Sequence, residues 1–379
     1  MALSGTMKAV VFDGPYKVSI QPRPVPTIQN DGDILVKVRA TALCGSELHL
    51  YRGREASGTG FIMGHEFTGT VVKAGSAVTS VKVGDRVVTP FTVSCGDCFF
   101  CQNGYTARCV HSLLFGSVAL DGGQAEYVRV PHADGTVIKA PDVISDRALI
   151  LMGDIFPTGY YGVKSALTLC PDQDVTQAVM VVVGCGPVGL CAIVSALHFR
   201  PRHVFAIDSV ESRLEIARTL GAEPLNFATN REAMIARIQE VTDGRGADMV
   251  VEVVGLSPAL RTAFDVLRPF GAISSIGVHS DEIPWTGDEG YGKNVRLQMG
   301  RCPVRSVFPE ALAVLEQKQH LFEYVAQRVY NLSVVTSLIV LANIQLVRFM
   351  FDHVMPLEQA PEGYALFDQM KVQKVVFQP

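Results

Sequence analysis

Four cysteines stand within fifteen residues as Cys95-x2-Cys98-x2-Cys101-x7-Cys109, among the turn-forming residues Gly96, Asp97, Gln102, Asn103 and Gly104. Four thiolates at these spacings close a tetrahedral zinc site without solvent, which makes the site structural. A second set is dispersed along the chain. Cys44 lies in Cys44-Gly45-Ser46-Glu47-Leu48-His49, His65 and Glu66 lie in Gly64-His65-Glu66, and Asp154 opens Asp154-Ile155-Phe156-Pro157-Thr158-Gly159. A thiolate, an imidazole and a carboxylate give a three-ligand zinc with one position free, the open geometry of a catalytic metal. Taken singly, Cys44 also fits a buried thiol and His65 a turn histidine.

A third constellation is the apolar run Val179–Val183 passing into Gly184-Cys185-Gly186-Pro187-Val188-Gly189 and then an apolar segment to His198. A buried strand, a G-x-G-x-x-G turn and a helix start are the context in which this motif binds a dinucleotide. Gly184 permits the tight turn, Gly186 lets a pyrophosphate approach the backbone, and Gly189 lets the helix pack on the strand. The phosphates then lie on free N–H groups at the helix N-terminus. About twenty residues on, the strand His203–Asp208 ends in an acid, which accepts from the ribose hydroxyls and repels a 2′-phosphate, so Asp208 selects NAD over NADP. Arg213, one helical turn later, faces the same ribose and weakens that exclusion.

The elements that must position these groups divide the chain. Up to Asp154 short extended segments dominate (Met7–Phe12, Ile34–Ala40, Phe67–Pro90, Gly122–Pro131, Gly135–Pro141), consistent with a partly open β-barrel. Beyond it, strands alternate with helical patterns through Ala272–Gly277, which argues a doubly wound parallel sheet. Residues 1–155 are thus expected to form a β-barrel domain with the cysteine lobe at about 91–112. Residues 156–305 form a Rossmann domain, and 306–379 return to the first. A chain of 379 residues holds two such cores, and a net charge of −4 with mixed signs excludes a nucleic-acid field. The first twenty residues contain no signal-type apolar region, so a cytoplasmic, reducing location is expected, where thiols favour metal over disulfide. Cys170, Cys185, Cys191 and Cys302 sit among apolar neighbours and read as buried small hydrophobes.

Cys44-Gly45-Ser46 with His49, Gly64-His65-Glu66, the four-cysteine lobe and Gly184-x-Gly186-x-x-Gly189 with Asp208, in this order, resemble the zinc-dependent medium-chain alcohol dehydrogenase family. Arg52-Gly53-Arg54, Gly122–Tyr127 and Asp154–Tyr160 look like its glutathione-independent formaldehyde dehydrogenase-like branch. The resemblance implies a GroES-like barrel beside a Rossmann domain, two zinc ions and NAD. In it Cys44, His65 and Asp154 hold the catalytic zinc, aspartate standing where many relatives have cysteine, and Glu66 sits behind the metal or orients an arginine. Ser46 takes the alcohol proton and passes it through the cofactor ribose to His49 near solvent. Thr158 packs against the nicotinamide, whose carboxamide meets Gly277 and Val278. A homodimer or homotetramer is implied, with Ala272–Val278 near an intersubunit edge. Tyr51, Phe91, Phe115 and Phe156 are expected near the pocket, favouring small or flat apolar substrates.

One departure from the family is the apolar segment at about 322–350, including the uncharged stretch Val329–Val347. Six polar residues within that stretch argue against a membrane span, leaving an interface helix, a packed loop or translated non-coding sequence. It raises the rival expectation of a catalytically impaired homologue that binds only nucleotide or a partner protein. Intact metal and cofactor motifs favour an active oxidoreductase. Cys44, His65 and Asp154 together exclude a zinc-free quinone reductase.

Overall fold

The strand Ile34–Leu43 organises the first half of the molecule: only Lys37 and Arg39 point to solvent, and apolar side chains fill both faces elsewhere. The computed structural model describes residues 5–323, 325–328, 344–347, 350–351 and 353–379. In it Ile34–Leu43 pairs with Glu66–Ala74, Tyr127–Val130 and Val375–Gln378, all antiparallel. Arg86–Thr89 and Ile138–Lys139 extend the sheet on one side. His353–Pro356 ends the other, parallel to Val375–Gln378 across the helix Ala360–Asp368. A separate hairpin, Thr6–Gly14 with Lys17–Pro24, packs alongside.

Register explains why this sheet can carry a site. Ala42 lies opposite Glu66 and Val376, and Leu43 opposite Val375. Three strand ends therefore deliver Cys44, His65 with Glu66, and Lys374 to one rim.

The second sheet is wholly parallel, in the order Glu223–Asn226, His203–Asp208, Val179–Val183, Ala247–Glu252, Leu267–Ser275, Arg296–Met299. Val179–Val183 is central and buried throughout, as a strand covered on both faces must be. This is the doubly wound arrangement, with its crevice at the carboxyl ends of the strands. The helix Ile155–Leu169 begins at Asp154 and packs against both the helix Pro187–His198 and the helix Val304–Glu323. One apolar core runs from Ala42 and Cys44 through Met152 and Phe156 to Val182 and Leu190, joining the two sheets.

Several sequence readings are refined. Arg296–Met299 is a sixth strand beyond Leu267–Ser275, so the strand that contains Ala272 is not the last of the sheet. The segment Lys82–Val88 keeps its reading as a strand entered through a tight turn: Lys82 and Asp85 close the turn, Gly84 has φ +95°, and the strand starts at Arg86. Ala133–Thr136 is a helical turn inside what reads as extended chain. Val325–Arg328 pairs antiparallel with Ile344–Val347, while the remainder of the uncharged stretch, 329–343, lies outside the described residues. No helix of the described residues is long and apolar enough to cross a membrane.

Candidate active site

The first loop is set by a carboxylate the sequence motif carries without advertising. Glu47 is buried, and its two oxygens accept from the backbone N–H of Cys44 and of Gly64, each at 2.9 Å. It thereby clamps the two ligand-bearing turns together and stands 3.9 Å from His65 Nδ1, orienting that ring. Gln124 donates to the same carboxylate at 3.4 Å and accepts from Tyr364 at 3.0 Å. Burial pushes the Glu47 carboxyl up, against the pull of His65.

Cys44 Sγ and His65 Nε2 each lie 3.5 Å from Asp154 Oδ2, and donor atoms of Cys44, His65, Glu66 and Asp154 all fall within 4.8 Å of one another. Zinc–ligand bonds of about 2.0–2.3 Å in a tetrahedron require donor separations of about 3.3–3.8 Å. The spacing therefore fits the ion. The chemistry fits as well: burial, then Asp154 and Glu66, push the Cys44 thiol up, so the pocket crowds negative charge that a divalent cation would relieve. Burial opposes ionisation of Asp154 too, yet hydrogen bonds from His65 and from Thr158 Oγ1, the latter at 2.7 Å, hold it below the ordinary carboxylate value. Ser46 Oγ is 3.3 Å from Cys44 Sγ and 3.5 Å from His65 Nε2, at the mouth of this set.

Glu66 is fully buried, and its Oε2 meets Lys374 Nζ at 2.5 Å; the lysine is fully buried too. Its other oxygen has no hydrogen-bond partner among the described residues. The partner is thus a lysine, not the arginine of the alternative reading, and it immediately precedes the last strand.

The cysteine lobe gathers its sulfurs with similar economy. Cys95 Sγ is 3.5 Å from Cys109 Sγ and 3.9 Å from Cys101 Sγ, and all four are unbridged. Backbone N–H groups of Cys95, Cys98 and His111 point at sulfur. Backbone donors of Val110 and Cys101 bring the Cys98 thiol down to about 6. Four thiolates at near-tetrahedral spacing fit a closed zinc site.

At the glycine turn Gly184 has φ +99°, and a Cβ on Gly189 would stand 1.8 Å from the Gly184 carbonyl oxygen. Neither position admits a side chain. A Cβ on Gly186 would meet nothing within 4 Å, and no side chain caps the helix Pro187–His198 that begins there, so Pro187 and Val188 open the helix onto free space. That is the cradle a pyrophosphate requires. Asp208 is buried at the end of its strand, accepting from the N–H of Cys185, Ser209 and Val210 at 2.7–2.9 Å, with Arg213 Nη1 4.0 Å away. Gly277 packs on Gly255, and Val278 is exposed beyond the strand Leu267–Ser275.

The other site residues separate. His49 is half-buried in the helix Glu47–Tyr51, pushed down by that burial. Of the four aromatics expected near the pocket only Phe91 faces the site, edge-on to His65 at 6.2 Å. Tyr51 packs tilted against Tyr364, and Phe115 and Phe156 pack edge-on against Phe67 and Phe322, because each completes an apolar core.

A GroES-like barrel, a doubly wound nucleotide sheet and an open metal set at their junction define a class, and the chain belongs to the zinc-dependent medium-chain alcohol dehydrogenase family. It is a zinc-dependent oxidoreductase of alcohols with a nucleotide cofactor, and nothing favours the catalytically impaired alternative. Residues 30–142 match the model of the alcohol dehydrogenase GroES-like domain, and residues 187–317 that of the zinc-binding dehydrogenase. Zinc-type alcohol dehydrogenase B of Aspergillus flavus is 55% identical over 377 residues, covering 100% of this chain and 82% of the relative. The glutathione-independent formaldehyde dehydrogenase of Bacillus subtilis is 30% identical over 100% of this chain and 98% of its own. Among solved structures, alcohol dehydrogenase TADH from Thermus sp. ATN1 superposes with a TM-score of 0.85 at 31% identity, covering 98% of this chain and 99% of that one.

Proposed function

We propose that the protein transfers hydride between an alcohol and NAD, in a cleft where Cys44, His65 and Asp154 hold one zinc while Cys95, Cys98, Cys101 and Cys109 hold a second. The single observation that carries this is the donor spacing of 3.5 Å at the first set, with Ser46 at its mouth. Bound zinc supplies a Lewis acid that makes an alcohol acidic near neutral pH, and bound nicotinamide supplies the hydride acceptor. The chain's own groups do the rest. Glu47 fixes the His65 ring, and Thr158 fixes Asp154 through its hydroxyl while its methyl is free to pack on the nicotinamide. Ser46 Oγ, beside the ligand sulfur and imidazole, accepts the alcohol proton as it passes its own on toward His49. His49, one helical turn on, releases it to solvent, its burial favouring the neutral, proton-accepting ring. Glu66 stands beside His65 with one oxygen unclaimed, ready to enter the metal shell during exchange.

Asp208 supports NAD over NADP, because a 2′-phosphate would meet a buried carboxylate already backed by three backbone donors. Gly277 and Val278 offer backbone groups to the carboxamide. The domain limits proposed are 1–155, 156–305 and 306–379, in a cytoplasmic homodimer or homotetramer. The test is NADH absorbance with primary, secondary and aromatic alcohols and formaldehyde, NAD against NADP, beside Asp208→Ala. NAD-dependent turnover that shifts toward NADP in the variant supports the assignment. Equal use of both cofactors by the wild type overturns the cofactor choice, and absence of turnover in either direction overturns the reaction.

A further inference from the structure

Resting on the reaction proposed above, we infer that the substrate alcohol carries a carboxylate, received by Arg301 at the far wall of the cleft. Arg301 follows the sixth parallel strand, where Gly300 is tied to the Ser275 carbonyl at 3.2 Å, so it leaves the sheet at the carboxyl edge that faces the cofactor crevice. Cys302, the next residue, contacts the Pro157 carbonyl just beyond Asp154. The Arg301 guanidinium lies over the Phe91 ring, 5.8 Å from its centre, and Phe91 stands edge-on to His65 at 6.2 Å. A cation is therefore one aromatic ring away from the metal ligands.

Two anions, Asp154 and Glu55, lie near enough to act on it, but neither touches it. Arg301 makes no ion pair or hydrogen bond with any described residue, and neither does the side chain of Arg108. The Thr106 hydroxyl is 3.0 Å from that of Ser306, so the turn Thr106–Arg108 adjoins the segment carrying Arg301 and Arg305. Arg305 Nε is buried without a partner among the described residues. Arg301 is exposed, yet desolvation of its guanidinium and the nearby Arg108 push it down, outweighing the pull of Asp154 and Glu55. A guanidinium over an aromatic ring, with no described residue claiming its donors, is suited to bidentate contact with a carboxylate. The occupant is thus an ω-hydroxy acid or its aldehyde acid, longer than the small apolar alcohol that the aromatic residues alone suggest.

The test compares ω-hydroxyalkanoates with neutral alkanols of equal chain length on the zinc-loaded enzyme, in wild type, Arg301→Met and Arg301→Lys. A charge-assisted contact of about 1.5–3 kcal/mol corresponds to about 10- to 100-fold in kcat/KM. The wild type is expected to prefer the hydroxyalkanoate by that factor at its best length. Arg301→Met removes the preference through KM, and Arg301→Lys keeps part of it. Calorimetric binding of the same hydroxyalkanoates, read without turnover, separates this inference from the reaction: Arg301-dependent binding with no turnover would sink the hydride-transfer proposal and leave the carboxylate site standing. No preference in the wild type, an equal loss on both series in Arg301→Met, or a rise confined to the KM of NAD would each overturn it, the last by assigning the cation to the cofactor phosphates.

Discussion

Lys374→Met provides the sharpest test of the metal rim's construction. The Lys374 ammonium and the Glu66 carboxylate are both fully buried and meet at 2.5 Å, so neither charge has water to fall back on. Burial disfavours the Lys374 charge, and Glu66, with Cys44 behind it, holds that ammonium above its ordinary value. Removing one member of such a pair leaves the other charge uncompensated, at a cost of about 3–5 kcal/mol. Removing both costs far less, because the desolvation penalty leaves with the charges. The assay is urea unfolding of zinc-loaded wild type, Lys374→Met, Glu66→Gln and the double variant, with zinc content checked in each. At a slope of about 3 kcal/mol/M the single variants lose about 1–1.7 M of midpoint, and the double variant regains most of it. Single variants within about 1 kcal/mol of wild type, adding simply in the double, would refute the claim that the pair neutralises itself.

Two further predictions follow from other parts of the molecule. Gly189→Ala places a methyl where the Gly184 carbonyl stands, so the helix Pro187–His198 must move off its strand. Nucleotide affinity is expected to fall by at least about 100-fold in a fluorescence titration while both metal sites stay loaded, and near-normal affinity would contradict the close packing. Asp134→Asn tests an anchor remote from the site, where the carboxylate accepts from the backbone and hydroxyls of Thr79 and Ser80. Burial alone would raise its pKa, but these bonds hold it down to about 2. A depressed carboxylate stabilises the fold above its unfolded pKa, near 3.9, and that contribution fades as pH falls toward 2. Because the group is largely exposed, the variant is expected to lose only about 1 kcal/mol at neutral pH. The gap from wild type closes between about pH 4 and 2, and a gap independent of pH would refute it.

Much of the site was legible because metal and phosphate chemistry demand particular residues in short order. The cysteine lobe and the glycine turn are contiguous, and their neighbours must be small. The proposed dispersed ligands were legible only as a set, since strand register joins Cys44 to His65 and the start of the helix Ile155–Leu169 brings in Asp154, neither of which a local pattern encodes. Glu47 and Lys374 were missed for the same reason. Glu47 sits inside a quoted motif, but its clamp on Gly64 appears only when the two loops meet. Lys374 interrupts an apolar strand start near the C-terminus, and a lysine facing inward there was the available signal. The sixth strand, Arg296–Met299, escaped because it is only four residues long, so the alternation of Arg-Leu-Gln-Met is too short to mark a strand by itself. The helix Ile155–Leu169 contains Pro157, Gly159 and Gly162, which local propensity counts against it; packing against the helices at Pro187–His198 and Val304–Glu323 outweighs that.

Zinc content per chain, measured with NAD reduction in wild type and Cys44→Ser, tests the central claim most directly. Two zinc ions in the wild type, falling to one in Cys44→Ser with loss of turnover, is the predicted result. A Cys44→Ser protein that keeps its full zinc content and its turnover would contradict an open catalytic site built on Cys44, His65 and Asp154.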